Sequence, residues 1–386
     1  DFDDLKDYVK ISYELTQDGL VISKDILSEF SVVPHGEGKT NLKISVPENG
    51  KCYLKLIYHL KKELPLLDED HILGFDEIEV SKDDAKCKLA EKWMQKTAVD
   101  SELQVNENDT QIHIKGREFA YTIDRRTALF TEMKFAGREY LNHPMELNIW
   151  RAPTDNDMYI KAEWKKAHYD KAYTRAYTTE VVQGKHGVKI VSHASVVAET
   201  VQKILDVTIT WKIDASGKID ADIEATKDGE FPDLPRFGVR MFLDKKLSDA
   251  RYFGMGPQES YRDKHQAASH GLYRANVGDL HEDYIRPQEN GSHYDCEYVE
   301  LNNSRYGIVA SAEKAFSFNA SYYTQEELEK KTHNYELIES DSVVFCVDYA
   351  LNGIGSNSCG PVVLEQYRFD DVLFRFQFTL IPYVKG

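Results

Sequence analysis

Long apolar runs are missing from this 386-residue sequence. No run approaches the roughly 20 residues that a membrane-spanning helix needs, so no membrane partner is expected. Clusters of basic residues are missing too. Lys and Arg number 48 against 65 Asp and Glu, a formal net charge of -17, and no local patch of cations offsets that field. Nucleic acid and anionic lipid surfaces are therefore poor partners. Cysteine is sparse and unpatterned: Cys52, Cys87, Cys296, Cys346 and Cys359 include no CxxC pair, and five thiols cannot all pair within one chain. That usage predicts a reducing compartment, the cytoplasm. The opening "DFDDLKDY" has neither a basic start nor an apolar signal segment. It lacks an initiating Met and leads straight toward a strand, so the sequence reads as a piece excised from a longer chain. Neither HExxH, a P-loop nor a Ser-His-Asp order is present.

What is present is strand. A hydrophobic content of 41% with 11% aromatics is that of a folding globular chain, and the length allows more than one core. From residue 10 to about 80, apolar residues alternate with period two. "TNLKISV" sets Leu42, Ile44 and Val46 on one side, and "CYLKLIYHL" does the same with Leu54, Leu56, Tyr58 and Leu60. Residues 1–90 are thus expected to form a small immunoglobulin-like β-sandwich. Residues 91–109 are charge-rich and break the period, as a linker does. From 110 to 386 strands resume and predict a large antiparallel sandwich of two broad sheets. "LDVTITWKID" and "KIDADIEA" flank "ASG" as a hairpin, and Phe374, Phe376, Phe378 and Leu380 share one strand face. Helices are few. Thr324 and Glu327 have capping-box spacing ahead of a helix, and "AEWKKAHYDKA" predicts a shorter one. The fold class is all-β.

Four polar or small-residue clusters interrupt the strands. "RAPTDND" offers Arg151, Asp155, Asn156 and Asp157, a fixed guanidinium beside carboxylates. The alternating acids suggest a calcium loop, but the Gly and distal Glu of an EF-hand are absent, so no metal is assigned here. "YFGMGPQESYRDKH" carries Glu259, Tyr261 and Arg262 after two glycines, without the third glycine of a dinucleotide fingerprint. "IRPQENGSHYD" carries Gln288, Glu289 and Asn290. All three clusters have two readings. Planar polar groups beside aromatic rings form a sugar-binding surface, and the same groups crosslink long loops at the end of a sandwich. The fourth cluster, "NGIGSNSCGP", includes Ser356, Asn357, Ser358 and Cys359, and its small side chains let a loop approach another surface. His113 and His193 are expected to be structural. A pair of acids from these loops would suit glycoside hydrolysis only at a separation of about 5 to 9 Å, which spacing in sequence does not measure.

In these motifs, taken in order as "RAPTDND", "YFGMGPQESYRDKHQAA", "YIRPQENGSHYD" and "NGIGSNSCGP", and in "FAYTIDRRTALFTEMKFAGREYL" before them, the chain resembles the C-terminal part of bacterial β-galactosidases of glycoside hydrolase family 2. The resemblance covers essentially the whole chain. It implies an immunoglobulin-like domain followed by a terminal β-supersandwich similar to galactose mutarotases, in a retaining enzyme that hydrolyses terminal β-D-galactosides such as lactose. The family's catalytic glutamates and magnesium lie on a (β/α)₈ barrel, for which this sequence has no alternating strand-helix pattern. The resemblance therefore implies a non-catalytic region with no catalytic residue or cofactor of its own. Its partner is an upstream barrel or a separate large subunit, within an oligomeric enzyme. It also implies that the loop 353–361 rims the active site. In some relatives that loop bears a sugar-stacking Trp, but here Cys359 stands at the matching position and a thiol offers no stacking face. Two other functions share the fold: a free-standing mutarotase-like enzyme, and a carbohydrate-binding module.

Overall fold

A computed structural model describes residues 4–27, 29–82, 85–95 and 102–385. The chain divides into two compact units, residues 1–91 with 269–272, and residues 92–268 with 273–386.

In the first unit, strands β1 (Val9–Gln17), β2 (Leu20–Ile26), β3 (Cys52–Leu60) and β4 (Ile72–Glu79) form an antiparallel sheet in the order β2-β1-β3-β4. Strand β1 shows the period-two logic directly: Val9, Ile11, Tyr13 and Leu15 are buried, and the residues between them are not. The segment 40–46, expected as a strand, forms none. Leu42, Ile44 and Val46 are still the half-buried members of an alternating run. Alternation reports which side of an extended chain is covered, not whether that chain has a ladder partner. The short piece 269–272, remote in sequence, is fixed to this unit by Glu77, whose carboxylate accepts from His270 N (2.9 Å) and His270 Nδ1 (2.7 Å). Tyr53 stacks on the His270 ring at 4.1 Å.

The expected linker falls partly on residues 96–101, which lie outside the described residues. Before them is a short helix, α1 (Lys88–Met94). After them, Gln104–Glu107 is already a strand, β5. Its residues are polar because it is the edge of a sheet, where only one side of the ladder is paired. That sheet runs β5-β6-β7-β8-β9, with β6 (Gln111–Lys115), β7 (Phe119–Asp124), β8 (Leu129–Phe135) and β9 (Arg138–Glu139).

The second and larger sheet begins with β10 (Leu141–Asn148), β11 (Tyr173–Gln183), β12 (Gly187–Ala198), β13 (Val201–Asp214), β14 (Ile219–Lys227) and β15 (Arg236–Asp244). It continues through β16 (Asp249–Gly256), β17 (Ser269–Asn276), β18 (Ser292–Asn302), β19 (Tyr306–Ser321), β20 (Ser342–Leu351) and β21 (Leu373–Val384). Its main path is β10-β15-β20-β19-β21-β14-β13-β12-β11, all antiparallel, with β18 branching from β19. Helices are confined to short connections, α2 (Ile160–Lys166) and α3 (Gln325–Lys330), the latter capped by Thr324 Oγ1 accepting from Glu327 N at 3.1 Å. One continuous core joins the two sheets: Phe130 of the smaller meets Trp211 of the larger edge-to-face at 4.9 Å. The β13–β14 hairpin pairs Ile209 with Ile223 and Trp211 with Ala221. Its turn needs Gly217, which sits at φ +85°. An added Cβ there would lie 2.9 Å from the Phe119 ring and 3.0 Å from the Tyr121 hydroxyl.

Two irregularities interrupt the larger sheet. Strand β19 pairs with β21 through residues 306–311 and with β20 through residues 317–321, and the stretch between them pairs with neither. Beside it, β18 is bulged on both sides of Cys296.

Candidate functional site

Strand β10 ends in buried Asn148, and the chain then turns through Trp150 into "RAPTDND". Thr154 starts a single 3₁₀ turn over Asp155–Asp157. Asp157 folds back to accept from Thr154 N at 2.9 Å and from Thr154 Oγ1 at 3.2 Å, which holds its carboxylate inside the protein. Arg151, 0% exposed, meets that carboxylate in a two-pronged pair, Nη2 to Oδ1 at 2.7 Å and Nε to Oδ2 at 3.2 Å. The remaining face of the guanidinium donates to the main-chain carbonyls of Asn352 and Gly353. Arg151 thereby joins the first polar cluster to the start of the fourth.

The other clusters reach the same loop. Asn156 Nδ2 donates to Gly355 O at 2.7 Å, while its Oδ1 accepts from Ser358 Oγ at 2.8 Å. Asp263, from the second cluster, accepts from Ile354 N at 2.9 Å and from Gly355 N at 2.7 Å. Gly353 must be glycine, because a Cβ there would sit 2.8 Å from Asp263 Oδ2. Gln288 Oε1 accepts from Asp155 N at 2.9 Å and so ties the third cluster to the first. Asn290 bridges its own loop, accepting from Glu282 N at 3.0 Å and donating to Gln288 O at 2.9 Å. Glu259 accepts from Gly291 N at 2.8 Å and pairs with Lys264 and the Tyr284 hydroxyl.

Between these groups lies a cavity of about 330 Å³ bordered by Asn156, Glu259, Asp263, Lys264, Tyr284 and Gly355. Behind it, Glu289 pairs with Arg236, Nη2 to Oε1 at 3.0 Å, and the same fully buried guanidinium faces Asp348, Nε to Oδ1 at 3.2 Å. One cation thus serves two buried acids. Burial pushes the Asp348 carboxyl up to about 7 while Arg236 pulls it down, and Glu289 is raised for the same leading reason. The hydroxyl of buried Tyr261 lies in this apolar setting, which drives its pKa well up.

The structure therefore ties Arg151, with Asp157, and Asn156 to the loop 352–358, lines the cavity beside that loop with Asn156, Glu259, Tyr261, Gln288 and Glu289, and joins Asp155 to these through Gln288, while Asn290 bonds only within its own loop. It does not bring Arg262 with them: that side chain donates from Nη1 to Arg368 O at 2.8 Å and faces a different cavity. On the loop itself Ser356, Ser358 and Cys359 are exposed and Asn357 is half-buried. Cys359 is the exposed thiol among five free cysteines. The sequence reading included Asp263 in the second cluster without singling it out, and gave no role to Arg236 or Asp348. A signal existed for Asp348, the one charge in the otherwise apolar strand β20. Such a residue is buried only with a partner.

The chemistry of the arrangement is that of a clamp. The charge of Arg151 is matched by Asp157 and two carbonyls, and that of Asp263 by two amides. Both hold backbone. Among the described residues, no three His, Cys, Asp or Glu side chains group together as a metal site of that kind would need. No described helix is long and apolar enough to cross a membrane.

Residues 115–380 match the family model described as β-galactosidase small chain, and residues 1–81 match the model for β-galactosidase domain 4. A β-galactosidase of Actinobacillus pleuropneumoniae is 42% identical over 383 residues, covering 99% of this chain and 37% of that protein. One from Staphylococcus xylosus is 30% identical over 363 residues, covering 94% of this chain and 36% of its own length. The chain thus spans little more than a third of the curated relatives it matches. Among solved structures, galactose 1-epimerase from Lactobacillus acidophilus is similar over 75% of this chain and 100% of its own, with a TM-score of 0.39 and 10% identity. With most of its length matched to the first model, and its first 81 residues to the second, this chain belongs to the β-galactosidase small-chain family.

Proposed function

We propose that this chain is the non-catalytic C-terminal region of a retaining β-galactosidase acting on terminal β-D-galactosides such as lactose. Its domains are residues 1–90 and 110–386, joined through 91–109. The catalytic acids and a magnesium ion belong to a barrel upstream in the same polypeptide or on a large subunit. In this reading the loop 353–361 completes the rim of that active site, presenting Ser356, Asn357, Ser358 and Cys359 to substrate, and the chain supports assembly of an oligomeric, cytoplasmic enzyme.

The observation that supports the reading is the clamp. Arg151 and Asn156 of the first cluster and Asp263 of the second all bond to the backbone of residues 352–355. They leave exposed the tip that follows, with its small polar side chains. A loop held at its base by its main chain, with Ser356 and Cys359 exposed and Ser358 tied back to Asn156, is pre-organised to meet something else. Cys359, an exposed thiol, can border a sugar but cannot stack on it.

The test is deletion of residues 356–360 from the complete enzyme, with kinetics on an aryl β-galactoside. The expected result is a Michaelis constant raised about tenfold or more, consistent with losing on the order of 1.4 kcal/mol of binding, while the melting temperature moves little. Unaltered kinetics would refute the rim assignment, and galactoside cleavage by the isolated chain would refute the non-catalytic one.

A further inference from the structure

Away from the clamp, the larger sheet opens a second cavity of about 210 Å³ where β19 changes partners. Its walls include the rings of Tyr294, Phe316 and Tyr349, the guanidinium of Arg262, and the carboxylates of Asp295 and Asp371. The backbone here is irregular in two ways. The β18 bulges flank Cys296, and Asp295 is held at φ +54°, a left-handed conformation that an Asp adopts at some cost. Bulges and left-handed non-glycine residues redirect side chains and concentrate beside binding sites.

The composition of the cavity selects a ligand. One cation and two carboxylates leave it net negative, which disfavours phosphates and sugar acids. Of the five donors of Arg262, one on Nη1 goes to Arg368 O at 2.8 Å. Aromatic faces suit the C–H side of a ring, while a guanidinium opposite carboxylates suits neighbouring hydroxyls that both accept and donate. At about 210 Å³ the cleft suits one sugar ring rather than a chain of them.

We propose that this cleft binds a single neutral pyranose, held by Arg262, Asp295 and Asp371 at its hydroxyls and by Tyr294 and Tyr349 at its faces. The site uses Arg262 apart from the clamp and does not depend on the rim assignment.

Calorimetric titration of the chain with galactose and with glucose tests it, together with difference maps from crystals soaked in galactose. The expected result is saturable millimolar binding of at least one of the two sugars, as suits a ligand of one ring. Galactose in the maps should lie between Tyr294 and Tyr349. Asp371 is exposed, so Asp371→Asn should fold normally and weaken binding about tenfold, the cost of losing a charge-assisted hydrogen bond. Arg262→Gln should do the same. If Arg262→Gln is unstable, Asp371→Asn still decides. Absence of saturable binding by the unaltered chain, unchanged affinity in Asp371→Asn, or saturation by tetramethylammonium in place of sugar would each overturn the proposal. A sugar seated instead against residues 353–361 would also overturn it, while supporting the rim.

Discussion

Replacing Arg151 with Ala tests the clamp most directly. The side chain is 0% exposed, and it satisfies both oxygens of Asp157 and the carbonyls of Asn352 and Gly353. Its removal leaves a buried carboxylate with no cation and two carbonyls without a donor. Breaking a buried pair in this way costs about 3–5 kcal/mol. The second unit holds about 290 residues, so at roughly 2.1 cal/mol/K per residue its melting point should fall by about 5–8 °C. Differential scanning calorimetry measures that shift. Arg151→Met with Asp157→Leu should recover much of the loss, since removing both charges leaves neither one stranded. An Arg151→Ala protein that melts like the parent would refute the argument, and would return this guanidinium to the ligand-binding reading that the sequence equally allowed.

Three further outcomes are expected. Asp348 has a folded pKa raised to about 7 against an ordinary 3.8, so the folded state holds a proton that the unfolded chain releases. This group's contribution to stability is full below about pH 4 and falls as pH rises toward 7, by up to about 4 kcal/mol. Asp348→Asn should remove that fall, seen as the difference between the two proteins' melting temperatures across pH 4.5–8; parallel curves would count against it. Thr324→Ala should cost about 1 kcal/mol by removing the cap of α3, read from the urea midpoint, with no loss meaning that the helix is held by packing alone. Finally, a thiol reagent under native conditions should label Cys359 quickly and the four buried cysteines only on unfolding; fast labelling of a second thiol would contradict their burial.

The strands of the larger unit were legible because half-buried antiparallel strands write period two into the sequence. The hairpin around Gly217 and the Phe374–Phe378 face could be read without a structure. Less legible was the pairing itself. Residues 40–46 alternate but do not join a ladder, and 104–107 join one though Val105 is their single apolar residue. At the site, the polar clusters identified which residues converge but not what they converge on. Arg151 looked equally like a ligand anchor and a crosslink, because the choice depends on carbonyls of Asn352 and Gly353 some 200 positions later. Arg236 and Asp348 escaped notice because strand propensity dominates their surroundings. A charge in a buried strand is meaningful only once its partner is known.

The four residues Ser269–Leu272 give the first unit an unusual dependence on the ribosome. After Glu91 leaves the tunnel, about 180 more residues must be made before His270 can reach Glu77, on the order of 10–35 s at typical elongation rates. During that interval the nascent amino-terminal sheet waits with an acidic group and an aromatic face unclaimed. A truncation at residue 91 would make that interval permanent.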